Sequence, residues 1–373
     1  INLINGIRED AIAAGSLSNF TAFTDDTERL RFLAEYPHRI AFKLAHSTQN
    51  EEANWGLYVL QSIEFAFYIL NLPENYGEQL FNGKTKKTII PKKTLVIASS
   101  VSNGGASSIK AIEIDTNGLI DGAAVSEPNL YPEANSQLKI KQGSKVWEYP
   151  NHSRNLIDHL SLVNAFLPCA VLSDELKNTA PYNFPDDTLS QNRCLALKNY
   201  GLLTGNTFTE MAEESLAIIN NHGILQEQNP ILPSHHTFTI NEAILFSYAS
   251  AYGRFNVTEH VCDFSFASAG PDNSPIASSP ATLDIIFGSA NGHPPTGGIQ
   301  LFNDNSPGGA LVNRYSISPT SGIQDQNADG ALCLRSLITG KDGYGNPLTG
   351  EMLANHLRLA QGIAEFQANG ILH

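Results

Sequence analysis

The stretch Thr94-Leu-Val-Ile-Ala-Ser-Ser-Val-Ser-Asn-Gly-Gly-Ala-Ser-Ser108 constrains this chain more than any other. Thr94 to Ala98 is a short, apolar, β-branched run of the kind that forms a buried parallel strand. Gly104 and Gly105 follow, then small residues that can open a helix. Between them lies Ser100-Val-Ser102-Asn-Gly104, a G-x-S-x-G pattern with Ser in the first glycine position. A serine nucleophile needs a sharp strand-to-helix turn. The hydroxyl then stands above the sheet, and the next backbone N–H helps hold an oxyanion. Ser102 is therefore the candidate nucleophile, and the Asn103 backbone N–H a candidate oxyanion donor. The simpler reading is a plain βα turn, since Ser/Gly-rich turns are common.

The flanking sequence favours the catalytic reading. Glu51 to Leu70 predicts a helix, with Trp55, Val59, Ile63, Phe67 and Leu70 at helical spacing and acidic residues in the first turn. Pro73 and Gly77 end it, and Lys84 to Lys93 is a solvated basic approach to the strand. Ala106 to Ile114 reads as the helix after the serine, closed by Asp115-Thr-Asn-Gly118. Leu119 to Val125 reads as the next strand. Helix, strand, helix, strand over 51–128 is the repeating unit of an open parallel α/β sheet, which binds ligands at the carboxyl ends of its strands.

From about 130 to 320 that rhythm stops. Helices are predicted over Asn155–Phe166, over Thr207–Asn221 with a Thr207/Glu210 capping box, and over Thr239–Tyr252. Long Pro- and Gly-rich loops follow. An insertion of this size predicts a mainly helical lid. Glu351 to Ala368 is a last helix, with Leu353, Leu357, Ala360, Ile363 and Phe366 on one face. The expected fold class is α/β: an α/β-hydrolase-like parallel sheet with a large, mainly helical lid insertion. The expected division is a core with the serine turn at 1–130, the lid at 131–320, and a return to the core at 321–373.

With 373 residues, 42% hydrophobic and 16% charged, the chain can bury a core and is not a disordered one. The net charge of −14 disfavours nucleic acid and anionic membranes as partners. No run approaches the length of a membrane span. Low charge with many Asn, Ser and Gly leans toward a secreted or periplasmic protein, with a cytoplasmic one as the alternative. No signal peptide is visible, and the sequence lacks an initiator Met, so an upstream segment is expected to be removed or not shown. Cys169, Cys194, Cys262 and Cys333 form no C-x-x-C pair. Their even number permits two disulfides in an exported protein, or four buried thiols.

An activated serine needs a base, and the base needs an orienting acid. By topology both are expected after later strands, beyond residue 373. Within the chain, His293 in a Gly/Pro loop is the most exposed alternative base. His235-His236 comes next, and His356 looks solvent-facing. Hydrogen-bonded loop histidines are the simpler reading of all of these. Asp325-Gln-Asn327-Ala-Asp329-Gly330 has the D-x-N-x-D-G spacing of a calcium loop, but its twelfth position is Ser336 instead of Glu. The choice there is a structural Ca²⁺ or an Asx-rich turn; no cofactor is required by the serine chemistry.

The chain resembles the bacterial D-(−)-3-hydroxybutyrate oligomer hydrolases. The resemblance is carried by Ala45-His-Ser-Thr-Gln-Asn50 with Trp55-Gly56, and by Val59-Leu-Gln-Ser-Ile-Glu-Phe-Ala-Phe67. It continues through Ile97-Ala-Ser-Ser-Val-Ser-Asn-Gly-Gly105, Gly118-Leu-Ile-Asp-Gly122, Val125-Ser-Glu-Pro-Asn129 and Asp329-Gly-Ala-Leu-Cys-Leu-Arg335. It implies that the family's serine falls on Ser102, and that the substrates are small-molecule esters, short oligomers of 3-hydroxybutyrate. Members are longer at both ends. The upstream part would hold the first strands and a second oxyanion donor, and the downstream part the acid and histidine. A broader carboxylesterase or lipase, or a non-catalytic α/β binding module, are the competing expectations. Nothing in the sequence specifies the oligomeric state.

Overall fold

The computed structural model describes residues 2–4, 7–19, 21–49, 52–130, 137, 139–142, 144–148, 154–289 and 298–368. The chain forms two compact units, one of residues 50–136 with 363–373, the other of residues 1–49 with 137–362. The expected boundaries are 130/131 and 320/321; here residues 1–49 and 321–362 group with the helical segment, and only 50–136 and 363–373 with the serine turn.

The first of these units is built from α1 (Trp55–Leu70), β1 (Ile97–Val101), α2 (Asn103–Ile114) and β2 (Gly122–Ser126). The succession helix, strand, helix, strand is the one its periodicities predict. β1 and β2 run parallel, with Ile97 opposite Gly122 and Val101 opposite Ser126. The ladder starts three residues later than the apolar run because Asp121 takes the preceding place. Its carboxylate accepts the Val96 N–H at 2.8 Å, and its own N–H donates to the Val96 carbonyl at 2.9 Å. Pairing then continues into Ser99 and Ser100, polar residues that periodicity does not assign to a strand. Likewise α2 opens at Asn103, three residues before the predicted start, because no spacer separates it from the serine. Among the described residues β1 and β2 pair with each other alone. Leu95, Ile97 and Val101 are 76%, 48% and 60% exposed, far from the burial expected of a parallel strand.

Two contacts hold this unit in shape. Helices α1 and α2 approach closely at Gly56, where a Cβ would stand 2.9 Å from the Lys110 carbonyl carbon and 3.0 Å from the Ala111 nitrogen. At the end of α1, Asn71 donates to the carbonyls of Phe67 and Ile89, each at 2.7 Å, and accepts from the amides of Thr88 at 2.8 Å and Ile89 at 3.0 Å. One buried amide side chain thus fastens the approach to β1 and leaves none of its own groups unpaired.

The other unit is organised around α3 (Leu156–Ala170), which is buried along nearly its whole length. Around it pack α4 (Asp187–Asn199), α5 (Phe208–Asn221), α6 (Ile240–Gly253) and α7 (Ala328–Thr339). The predicted capping box of α5 is present: Thr207 Oγ accepts the Glu210 N–H at 3.2 Å, and the Glu210 carboxylate accepts the Thr207 N–H at 3.2 Å. Arg193 of α4 lies fully buried and donates to the carbonyls of Asn164, Ala165, Asp325 and Gln326. It thereby ties α4, α3 and the loop before α7 together with charge-assisted hydrogen bonds.

The same unit holds an antiparallel sheet that the sequence reading did not contain. Its strands are β3 (Phe264–Ala269), β4 (Pro275–Ile276), β5 (Ile299–Asn303) and β6 (Leu311–Val312), in the order β4-β3-β5-β6. Phe264 and Phe266, two residues apart and so on one face, meet Phe246 of α6 with ring centroids 5.5 and 5.3 Å away. Phe42 packs edge-on against Phe266 at 5.1 Å. The cysteines are paired, Cys169 with Cys194 and Cys262 with Cys333. Helix α8 (Gly350–Ala368) ends the described chain. No described helix is long and apolar enough to cross a membrane.

Candidate active site

Ser102 sits between the last residue of β1 and the first of α2 with φ 55° and ψ −125°. A non-glycine residue pays a strain of about 1–3 kcal/mol there, and such strain is characteristic of a nucleophile turn. The turn is held by the Ser102 N–H, which donates to the Ser126 carbonyl at the end of β2 at 2.9 Å. The Ser102 carbonyl accepts from Ala106 at 3.2 Å, the first bond of the helix. The serine side chain is exposed, its Oγ 3.5 Å from Asn103 Oδ1. Asn103 is the first residue of α2, so its backbone N–H belongs to the helix end that favours developing negative charge.

The altered first position of the motif has a steric explanation. A Cβ on Gly104 would lie 2.0 Å from Ser100 Oγ and 2.9 Å from Ser100 Cβ. The serine at position 100 thus fills the space that glycine leaves at 104. Gly105 is less confined but still close-packed: its Cβ would stand 3.3 Å from Pro128 Cβ and from the Ser126 carbonyl oxygen. Gly104→Ala is expected to displace the turn, lowering kcat of the full-length protein by about 100-fold, the usual cost of misplacing a reacting group by an ångström. Adding Ser100→Gly should recover most of that loss. Steady-state kinetics of the single and double variants check this; a double variant no faster than Gly104→Ala would refute the steric account.

Beside the turn lies a shallow groove of about 320 Å³. Trp55, Tyr58, Val59 and Ser62 of α1 form one wall, and Asn103, Gly104 and Ser107 of α2 the other. Helical spacing assigns Trp55 and Val59 to a sheet-facing stripe and gives no sign of this groove. Tyr58, exposed and off that stripe, is the residue that could have signalled it.

No histidine occurs in residues 50–136. Of the alternative bases, His293 falls outside the described residues. His236 is fully buried, with Nε2 2.8 Å from Gln326 Oε1, and burial pushes it down to about 4. His235 is lowered by burial as well. His356 is half-buried, its Nδ1 2.7 Å from the Leu337 carbonyl. Among the described residues, His222 has a carboxylate partner in Asp158 at 3.2 Å and His260 in Asp304 at 2.7 Å. Both carboxylates also pair with an arginine, Arg335 and Arg39 respectively. These are ion-pair networks inside the helical unit.

The Asp325–Gly330 loop is organised by protein donors. Asp325 accepts from Ser318 and Ser321 hydroxyls, each at 2.7 Å, and from the Ala328 N–H at 3.2 Å. Asn327 caps α7 by accepting the Gly330 N–H at 3.0 Å, and Asp329 accepts from Tyr200 at 2.8 Å and the Thr320 N–H at 2.9 Å. The three side chains thus turn to separate partners, as an Asx-rich helix cap does. Among the described residues no group of three or more His, Cys, Asp or Glu is placed to hold a metal ion.

The family model described as 3HB-oligomer hydrolase matches residues 1–373. A Polaromonas protein named D-(−)-3-hydroxybutyrate oligomer hydrolase is 40% identical over 378 residues, covering 100% of this chain and 51% of the relative. Proteins of the same name from an Azoarcus species and from Cupriavidus necator are 44% and 38% identical, over 91% and 93% of this chain and 48% of each relative. The chain therefore spans about half the length of the curated relatives it matches. No solved structure matches it. The family model covers the sequence from end to end and relatives of that name cover nearly all of it: the chain belongs to the 3HB-oligomer hydrolase family.

Proposed function

We propose that the complete protein hydrolyses the ester bonds of short 3-hydroxybutyrate oligomers through an acyl-enzyme on Ser102. One observation carries the mechanism: Ser102 holds the strained strand-to-helix geometry of a nucleophile in a chain of this family. Ser102 Oγ attacks the ester carbonyl while a base takes its proton. The Asn103 N–H holds the developing oxyanion, and the hydroxyl end of the severed oligomer leaves with the proton. Water then attacks the acyl carbonyl, frees the acid and restores the serine. The parallel β1–α2–β2 unit supports reading this region as part of an α/β-hydrolase-type sheet. The groove between α1 and α2 is suited to the short, methyl-branched acyl chain. The two disulfides support export to an oxidising compartment.

The test is a comparison of substrates with the full-length protein. Values of kcat/KM for 3-hydroxybutyrate dimer and trimer are expected to exceed those for a simple aryl acetate by at least about tenfold. Equal rates on all three would favour a broad carboxylesterase, and no hydrolysis of any would leave a binding module.

A further inference from the structure

We propose that Glu127 is the positioning carboxylate of this site, the acid that orients the histidine serving Ser102; the inference rests on Ser102 being the nucleophile. The register of the parallel pair puts Val101 opposite Ser126. The chain therefore leaves the sheet at two adjacent points, Ser102 above β1 and Glu127 above β2, joined by the 2.9 Å bond from the Ser102 N–H to the Ser126 carbonyl. Neighbouring strands lie about 4.8 Å apart, so an imidazole can touch both residues' side chains.

Strain singles out the same two positions. Among the described non-glycine residues of the serine-bearing unit, only Ser102 and Glu127 have positive φ, at 55° and 51°. Glu127 also precedes Pro128, and proline drives its predecessor toward extended backbone. Pro128 is seated against Gly105 at the start of α2, which leaves Glu127 to absorb the bend. Backbone strain at a charged, exposed residue beside a nucleophile is a mark of function.

The other carboxylates near these strands are differently engaged. Asp121 accepts the Val96 N–H and Asp115 the Ile120 N–H, each at 2.8 Å, both at the amino ends of the strands. Glu113 pairs with Lys110 and Glu78 with Lys86. Glu127 alone of these stands where the carboxyl ends of both strands open. Its place in the sequence, after the serine and before the later histidines, also agrees with the order serine, acid, histidine. The acid is then inside this chain instead of beyond residue 373.

The experiment uses the full-length enzyme and the hydroxybutyrate trimer across pH 5–9.5, with Glu74→Gln as a surface control. Glu127→Gln is expected to lower kcat/KM by about 100-fold or more, as removing the orienting acid does in serine hydrolases. Its acid limb should move to lower pH, because a histidine without an adjacent carboxylate loses its proton more easily. Glu127→Asp should regain part of the rate. If the Gln variant does not fold, Glu127→Ala with and without added formate gives the same reading, rescue by formate supporting the assignment. A Glu127→Gln enzyme within about threefold of the parent, or one slowed with the parent's pH profile, overturns it. Activity retained in Ser102→Ala would instead remove the serine reading itself.

Discussion

Ser102→Ala in the full-length protein is expected to reduce kcat on hydroxybutyrate oligomers by about 10⁴–10⁶-fold, the cost of deleting the nucleophile of a serine hydrolase. The loss should fall on kcat, since the groove formed by Trp55, Tyr58 and Val59 does not depend on the hydroxyl. Thermal stability should be unchanged or slightly altered. Ser102 is exposed, and its hydroxyl lies 3.5 Å from Asn103 Oδ1, at the outer limit of a hydrogen bond. A fluorophosphonate probe should label the parent on the peptide carrying Ser102 and leave the variant unlabelled. Full activity in the alanine variant would eliminate every mechanism built on this turn.

The second large effect concerns the helical unit. Its bridges close loops with sequence separations of 25 and 71 residues. In the chain-entropy account they contribute about 3.5 and about 4.4 kcal/mol respectively by restricting the unfolded chain. Reduction is therefore expected to lower the urea midpoint of that unit by roughly 1 M per bridge, followed by circular dichroism and with reduction verified by mass. Cys169 and Cys194 are fully buried, so Cys→Ala pairs are the cleaner comparison than serine. The serine-bearing residues 50–136 contain no cysteine. Labelling of Ser102 by the probe offers a separate readout there. An unchanged midpoint after complete reduction would contradict the expected stabilisation.

What the sequence revealed of this molecule was its local part. The helix ending at Leu70, the turn at Ser102 and the capping box at Thr207 each depend on residues within a few positions of one another, and all three are found. The sheet of β3 to β6 was not legible. Phe264 to Ala267 are all buried, so the strand lacks the alternation that marks a half-exposed one. Its partner β5 lies some thirty residues away, beyond loops rich in Pro and Gly. The choice between bridged and free cysteines is a matter of distance in space, which spacing does not encode. At the candidate site, spacing picks out the turn at Ser102 but not why Ser100 suits it: that needs the 2.0 Å clash that a Cβ at 104 would make. Glu127 escaped notice because its neighbour is set by the strand register and its signal is a backbone angle.

The exposed apolar residues of the β1–β2 pair bear on how the serine can be studied. Leu95, Ile97 and Val101 stand beside outer strand edges that pair with nothing among the described residues. Such an edge is a template: a second copy can add to it strand by strand. A preparation restricted to this length would then lose serine to self-association in proportion to its concentration. Dilution, or supply of the sequence that relatives carry outside the matched half, would decide what fraction of molecules reports on catalysis. Any reactivity measured at Ser102 in such a preparation would in that sense report edge protection as much as chemistry.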